Sequence, residues 1–324
     1  MSRTEIRIWR AKPSTNLSGV EMSAYLTDAH CHISDLAKIS DKIAGLCSSA
    51  CFPEEWEALS KADSRKLKKT YGFFPALKIG AQPGDITEWE SLMPDFARLF
   101  NDAAAIGETG IDERFSKNFP VEIQADIFSK HLSLADDFKL PVIIHCVGAW
   151  GLLLDIIRKW TGKGEKKFLI HAAKCSAELC SEFVKLGGFF SFGARELNLR
   201  RVLVAMPSIP KNRILSESDS AEASEQLAMV ESAVGRIAET IGISADEAAA
   251  LTSDNFNELF CGSWTRGFQE MKSFTEALPV QGLQRLPWQS AAWVRSDLLR
   301  RRLSPGLAWE IFSFSIPIQW KYQT

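Results

Sequence analysis

Short apolar runs alternate with longer segments of helical periodicity from about residue 24 to residue 260. Runs of this length suit buried strands, and their alternation with helices is typical of parallel β/α units. The eight runs are AYLTDAH (24–30), KIAGLC (42–47), ALKIG (76–80), AAAIGE (103–108), PVIIH (141–145), KFLIH (167–171), GFFSFG (188–193) and RILSESD (213–219). Eight strands with crossover segments predict an α/β fold, the (β/α)8 TIM barrel. A doubly wound open sheet is the alternative, but it usually has fewer strands and a glycine-rich first turn, which is missing here.

The pattern also divides the chain into three parts. Apolar spacing predicts helices over about 85–103 and 121–138, between predicted strands. The composition changes after NELF (257–260), because residues 262–324 hold half of the ten tryptophans and no histidine. We therefore expect a barrel domain over 22–261 and a C-terminal extension over 262–324. Residues 1–21 mix charge and polarity before Met22, and we expect a disordered leader there.

Composition and charge exclude several classes of protein. Apolar residues make up 46 % and charged residues 24 %, a balance that can bury a core. No stretch is long and apolar enough for a membrane span or a secretory signal, so a cytoplasmic location is the default prediction. The seven cysteines include no CxxC pair, which favours reduced thiols over disulfides. The net charge of −2 does not exclude nucleic acid as a partner, because a local basic groove can be hidden in the sum.

Four of the five histidines lie at the ends of predicted strands. His30 and His32 flank Cys31, and strand residues two apart point the same way, so both imidazoles can reach one ion. Two carboxylates, Glu108 and Asp219, close other apolar runs. In a parallel barrel the carboxyl ends of all strands lie on one face, where active sites are built. The predicted metal ligands are His30, His32, Glu108, His145, His171 and Asp219.

This mixed nitrogen and oxygen set suits Zn²⁺, Mn²⁺ or Fe²⁺, and its carboxylates could accept Mg²⁺. Six protein ligands exceed what one catalytic zinc keeps, whereas two ions about 3.5–4 Å apart would use the set naturally. A single histidine at a strand end is more often a hydrogen-bonded core residue, but four at the same end of one barrel are hard to ascribe to chance. The fifth, His131, lies inside a predicted helix and is interpreted as structural.

At this point the sequence resembles the TatD family of metal-dependent deoxyribonucleases, which are amidohydrolase-type barrels. The resemblance covers about residues 22–260. It rests on DAHCH (28–32), GETGID (107–112), LPVIIHCVGAW (140–150), FLIHAA (168–173), GGFFSFG (187–193), RILSESD (213–219) and NFNELF (255–260). Members use one to three divalent ions, here expected to be Mg²⁺, Mn²⁺ or Zn²⁺, to hydrolyse phosphodiester bonds in DNA.

The resemblance also implies roles for the six ligands. His30 and His32 would bind one ion with Asp219, and His145 and His171 would bind a second. Glu108 would bridge the two ions. Glu108 and Asp219 are accordingly the predicted catalytic residues, since a carboxylate beside a metal can orient or deprotonate the attacking water.

The sequence departs from the family pattern at substrate contacts. GAQP places Gln82 where members usually have a histidine, and Val147 stands where an arginine is common. The candidates for substrate contact are therefore Gln82, Lys174 and Arg195. Two alternatives to a DNA substrate stay open: hydrolysis of a small ester, lactone or amide, and a degenerate member that binds nucleic acid without turnover. Glu108, where many amidohydrolase-type barrels have a lysine, favours the nuclease over the first alternative.

Overall fold

The computed structural model describes residues 26–63, 65–78, 96–162 and 164–261. Within them, eight strands form one parallel sheet in the order of the chain. The strands are β1 (Leu26–Cys31), β2 (Ile43–Ala50), β3 (Leu67–Tyr71), β4 (Ala103–Asp112), β5 (Val142–Val147), β6 (Phe168–Ile170), β7 (Gly188–Phe192) and β8 (Ile214–Ser216).

The sheet closes because the end of β8 reaches back to β1. The backbone N–H of Asp219 donates to the carbonyl of His30 (3.0 Å), and the N–H of His32 donates to the carbonyl of Ser220 (2.8 Å). Lower in the barrel, the Ser216 hydroxyl donates to the carbonyl of Thr27 (2.9 Å). The predicted (β/α)8 barrel is thereby confirmed.

Helices cover the outside of the barrel between the strands. They are α1 (Pro53–Lys61), α2 (Val121–Phe138), α3 (Trp150–Thr161), α4 (Ala177–Lys185), α5 (Arg200–Ala205), α6 (Ala223–Ile241) and α7 (Ala245–Phe260). The helix predicted over 121–138 is confirmed as α2. Of the helix predicted over 85–103, residues 96–99 are helical, and residues 85–95 lie outside the described part.

The last helix, α7, closes the barrel at the amino ends of its strands, an end called the floor below. Its Phe256, Leu259 and Phe260 pack on a layer of side chains to which seven strands each contribute one. That layer consists of Ala29, Cys47, Ala105, Ile143, Leu169, Phe189 and Leu215. On the same helix, the Asn255 amide donates to the carbonyls of Lys211 (2.8 Å) and Ile214 (2.7 Å), which ties α7 to the start of β8. The barrel interior is therefore filled with side chains near the floor, and the predicted metal ligands lie toward the carboxyl ends of the strands.

The prediction of the third strand was wrong. Of the run 76–80, residues 76 and 77 belong to the 3-10 turn Pro75–Leu77, and β3 lies earlier, over Leu67–Tyr71. The sequence LKKTY hides this strand because two lysines interrupt its apolar pattern. Lys69 is accommodated at the lower rim, where its ammonium donates to the Asp102 carboxylate and the Ser60 carbonyl, both at 2.8 Å.

Several strand ends also differ from the prediction, among them those of β4 and β8. Strand β4 continues past Glu108 to Asp112, and β8 stops at Ser216, three residues before Asp219. No helix in the described ranges is both long and apolar enough to cross a membrane. The predicted leader (1–21) and extension (262–324) lie outside the described residues.

Candidate metal centre

Glu108 stands at the centre of the six predicted ligands. It lies in β4 and is 2 % exposed. Its Oε2 atom faces Nε2 of His30 at 3.3 Å and Nε2 of His32 at 3.4 Å. The same two imidazole nitrogens lie 3.7 and 3.8 Å from Oδ1 of Asp219. One oxygen of Glu108 is thus grouped with two histidines and a second carboxylate.

The other oxygen of Glu108 faces the remaining histidines. Its Oε1 atom lies 2.7 Å from Nδ1 of His145 and 2.9 Å from Nε2 of His171. Those two nitrogens are themselves 3.0 Å apart. The structure therefore brings all six side chains together and divides the four histidines between the two oxygens of Glu108, with Asp219 beside the first pair.

Ser49, at the end of β2, fixes the rings of the first two histidines. Nδ1 of His32 lies 3.1 Å from the Ser49 carbonyl, and a carbonyl can only accept, so Nδ1 carries the proton. Nδ1 of His30 lies 3.3 Å from the hydroxyl of the same serine. Nε2 of His32 is thereby directed at Glu108, and the same serine orients His30. Contacts of this kind set the tautomer and orientation of metal-binding histidines.

Asp112 performs the same task for His145. Nε2 of His145 donates to the Asp112 carboxylate at 2.9 Å, which turns Nδ1 toward Glu108. Arg114 also binds Asp112, with Nε donating to both carboxylate oxygens. Burial acts to raise the pKa of Asp112, but His145 and Arg114 hold it well below its usual range. Burial acts to lower the pKa of His145, and its bonds to Asp112 and Glu108 outweigh it, raising the pKa to about 9.

The electrostatics of the centre fit a bound cation. Burial acts to raise the pKa of Glu108, but the facing histidines, His171 foremost, hold it well below its usual range. Burial and the neighbouring His171 lower the pKa of His30 to about 4, so its ring is a neutral donor of a lone pair. Its buried Nε2 has no hydrogen-bond partner among the described residues, because the approach to Glu108 lacks hydrogen-bond geometry. A buried, neutral imidazole nitrogen aimed at two carboxylates is what a metal ligand requires.

Asp219 is held in place by its backbone. Its φ is 51°, in the left-handed region that aspartate and asparagine tolerate better than most residues. The preceding residue, Ser218, donates from its N–H (2.9 Å) and hydroxyl (2.6 Å) to the buried Asp28. Burial raises the pKa of Asp28 to about 6. Asp28 therefore supports the loop that presents Asp219.

The ligands open into a cavity of about 260 Å³. Its lining is His32, Cys51, Phe52, Glu55, Leu77, Glu108, His145, His171 and Asp219. Three groups of side chains in this region could hold a metal ion: His30, His32 and Asp219; His30, Glu108 and His171; and His32, Cys51 and Glu108. Sequence reasoning missed Cys51, Ser49 and the role of Asp112, since none of them repeats the pattern of a polar residue closing an apolar run.

The predicted substrate contacts have different surroundings. Lys174 forms an ion pair with Glu196, with Nζ and Oε1 3.1 Å apart. Arg195 is exposed just beyond β7. Gln82 lies outside the described residues. Arg114, which the sequence did not single out, is 60 % exposed and one carboxylate away from His145, so it adds a positive charge beside the cavity.

His131 lies outside the site, as expected for a structural residue. It is fully buried on α2, and its Nε2 accepts from the backbone N–H of Phe73 at 3.0 Å. Its Nδ1 donates to the Ile127 carbonyl at 2.8 Å. The ring links α2 to the segment that follows β3.

A parallel eight-stranded barrel with histidines and carboxylates converging at the carboxyl ends of its strands defines the class of metal-dependent hydrolase barrels. Within that class, the chain belongs to the family described as TatD related DNase, whose sequence profile matches residues 27–261.

Individual relatives agree with this assignment. The metal-dependent hydrolase YabD of Bacillus subtilis is 28 % identical over 166 residues, which are 48 % of this chain and 64 % of that protein. The 3′-5′ ssDNA/RNA exonuclease TatD of Erwinia tasmaniensis is 29 % identical over 175 residues, which are 50 % and 64 % of the two chains. The chain thus spans somewhat under two thirds of these curated relatives. A TatD homologue of Escherichia coli, YJJV, has the same fold with a TM-score of 0.58 and 20 % identity, covering 73 % of this chain and 98 % of that one.

Proposed function

We propose that this chain is a divalent-metal-dependent hydrolase that cleaves phosphodiester bonds in DNA. The observation that carries the proposal is the division of ligands between the two oxygens of Glu108. Oε2 faces His30 and His32, whose same nitrogens also face Asp219, whereas Oε1 faces His145 and His171. A carboxylate placed in this way could contribute one oxygen to each of two cations. Mg²⁺, Mn²⁺ and Zn²⁺ are the candidate ions, one to three per chain.

Each side chain has a definite task in this proposal. His30, His32 and Asp219 would hold one ion, His145 and His171 would hold the other, and Glu108 would contribute to both. When bound, such ions would neutralise charge on the phosphate and lower the pKa of water, so that hydroxide is available as the nucleophile near neutral pH. Ser49 and Asp112 keep the imidazole nitrogens aimed inward.

Asp219 is the proposed proton acceptor for the attacking water. Its side chain is 40 % exposed at the cavity, whereas that of Glu108 is 2 % exposed. An exposed carboxylate can receive a proton on Oδ and pass it to solvent, and a buried bridging carboxylate cannot do so as readily. This difference in exposure separates the roles of the two predicted catalytic carboxylates.

Arg114 and Arg195 are the proposed contacts to the nucleic-acid backbone. Positive side chains near phosphate oxygens supply the sequence-independent part of such binding. Lys174 is a weaker candidate because Glu196 already neutralises it. Relatives named 3′-5′ ssDNA/RNA exonuclease support a single-stranded substrate read from its 3′ end.

Metal analysis and a nuclease assay together test the proposal. Protein purified without chelator should hold at least one divalent ion per chain, and replacing His30 and His32 together by alanine should abolish the tighter site. The intact protein should shorten a single-stranded oligonucleotide with Mg²⁺ or Mn²⁺, and chelator should stop it.

A panel of aryl esters distinguishes the outcomes. Ester turnover without DNA cleavage would replace the nuclease by a small-ester hydrolase. Oligonucleotide binding without turnover in any metal would indicate a non-catalytic member. Metal binding that is unchanged in the double alanine variant would overturn the assignment of the site itself.

A further inference from the structure

One group beside the centre has no part in the proposed mechanism, the thiol of Cys51. The residue follows β2 directly and is 2 % exposed. Its Sγ atom lies 3.8 Å from Oε2 of Glu108, the oxygen that also faces His30 and His32. Sγ of Cys51, an imidazole nitrogen of His32 and a carboxylate oxygen of Glu108 all lie within 4.8 Å of one another.

Hydrogen bonds on both sides hold the backbone of Cys51 in place. The N–H of Cys51 donates to the Glu55 carboxylate at 2.7 Å, and its carbonyl accepts from the N–H of Phe74 at 3.2 Å. The Glu55 carboxylate also accepts from the N–H of Phe52, at the start of α1. The backbone of Cys51 is therefore held on both sides, and its Sγ atom contacts Glu108, which favours a preorganised ligand.

From this cluster we infer that Cys51 is a sulfur ligand of the ion held by His32 and Oε2 of Glu108, and that this position selects a borderline-soft divalent cation of the Zn²⁺ type. The inference rests on the metal-binding part of the proposed function. When the ion binds, the thiol would lose its proton to solvent. The bond from Sγ to the metal would then take the place of the thiol's hydrogen bond to Glu108. Thiolate ligands favour Zn²⁺, whereas oxygen ligands and water favour Mg²⁺ and Mn²⁺.

Cobalt(II) titration of the whole chain tests the inference without measuring catalysis. Thiolate bound to Co²⁺ gives an intense near-ultraviolet charge-transfer absorption that nitrogen and oxygen ligands do not give. The intact protein should develop this band as the first equivalent binds, and Cys51→Ser should lose it. Cys47→Ser is the matched control, because Cys47 is an equally buried thiol of β2 that packs in the barrel interior. It should keep the band.

Affinities give a second readout. Cys51→Ser should weaken Zn²⁺ binding by at least the roughly 10–100-fold that loss of an outer partner costs, and Mn²⁺ binding much less. A band that persists in Cys51→Ser, or binding of Co²⁺ by the intact protein without the band, overturns the inference and leaves the proposed function standing. Failure of the intact protein to bind any ion overturns both.

X-ray absorption on the zinc-loaded intact protein covers the case in which Cys51→Ser does not fold. A sulfur neighbour at about 2.3 Å from zinc is expected. A first shell of nitrogen and oxygen alone would overturn the inference.

Discussion

The backbone conformation of Asp219 fixes where its carboxylate lies. With a φ of 51° it sits beyond the end of β8, and its N–H is bonded to the carbonyl of His30. The proposed ligand after β8 is thus tied through one peptide group to the proposed ligand His30 on β1. A residue in this conformation persists only where the surroundings hold it, here the Asp28–Ser218 bonds.

Asp219→Asn separates metal binding from proton transfer. Asparagine tolerates the left-handed region, so the backbone should not change, and one side-chain oxygen remains for the ion. We expect bound metal to be retained with weaker affinity, because five ligands are left. Turnover should fall by about 10²–10⁴-fold, the usual worth of general-base assistance.

Parallel measurements of bound metal and of oligonucleotide cleavage check this. Activity within a few-fold of the parent would mean that the water is activated elsewhere. Loss of metal and activity together would give Asp219 a purely structural role in the ion site.

A site residue can be predicted from the sequence when it stands at a position that recurs along the chain, namely the end of an apolar run. His145 and His171 could be found because each follows an apolar run, as barrel ligands do. Ser49 and Cys51 could not, because their importance comes from contacts with β1 and β4, distant in sequence. Asp112 was visible but ambiguous, since an aspartate after a strand is more often a cap, and it does also cap the following 3-10 turn.

At the scale of elements, β3 shows where pattern reasoning fails. Its lysines interrupt the apolar pattern, and the third strand was predicted later, at 76–80, yet the strand lies beside β4 and ends at Tyr71, directly before Gly72. A Cβ atom on Gly72 would lie 2.2 Å from the carbonyl oxygen of Glu108, so β4 can approach this segment only at a glycine. The position of Glu108 therefore depends on a residue that the sequence analysis did not single out.

Gly72→Ala should disturb both stability and the metal site. The new methyl group meets backbone rather than a movable side chain, and such overpacking typically costs about 1–3 kcal/mol. For a domain of this size, each kcal/mol lowers the Tm by roughly 2–4 °C. Metal affinity should fall as well, because Glu108 has to shift.

Gly151→Ala is the control for Gly72→Ala. Gly151 lies in the first turn of α3 with nothing within 4 Å of the added Cβ. It should leave the Tm unchanged or raise it, since alanine is favoured over glycine in helices by roughly 0.5–1 kcal/mol. Thermal melts measure the Tm of both variants. If the two Tm values shifted equally, the close approach of β4 to Gly72 would be contradicted.

The link between α2 and β3 predicts a pH dependence. Burial lowers the pKa of His131 to about 4 from its ordinary value near 6.5. The unfolded chain therefore binds a proton at higher pH than the folded one. The contribution of His131 to the free energy of unfolding is therefore fully present above about pH 6.5. It falls by about 1.4 kcal/mol per pH unit as the pH is lowered toward 4. Protonation of Nε2 would also remove the acceptor for Phe73.

Urea unfolding of metal-free protein between pH 4 and 7 measures this slope. The His131→Gln variant should be less stable at pH 7, and its stability should depend less on pH over the same range. The difference between the two proteins isolates His131 from His30 and Asp28, whose pKa values are also shifted. Parallel curves for the two proteins would show that His131 does not titrate in this range.

At the scale of the molecule, the barrel was predictable because its period is repeated eight times and one missed strand did not change the count. The role of the last helix in closing the barrel was harder to predict. NFNELF was recognised only by resemblance, whereas the structure gives its physical meaning: Asn255 binds the start of β8, and three apolar side chains seal the interior. Within the described residues, α7 therefore closes this end of the barrel.

The last prediction follows from that floor and concerns where the chain can be shortened. A chain ending at Ser263 keeps all eight strands and α7, so it should fold and retain its metal. A chain ending at Ile243 loses α7 and should not fold. Burial of Phe256, Leu259 and Phe260 is worth roughly 2 kcal/mol per side chain, or roughly 6 kcal/mol in total. That is a large part of the roughly 5–15 kcal/mol that stabilises an ordinary domain. Circular dichroism and metal content compare the two truncations with the full chain. If the longer truncation is insoluble or binds no metal, the apolar residues after 262 cover part of the barrel and belong to its domain.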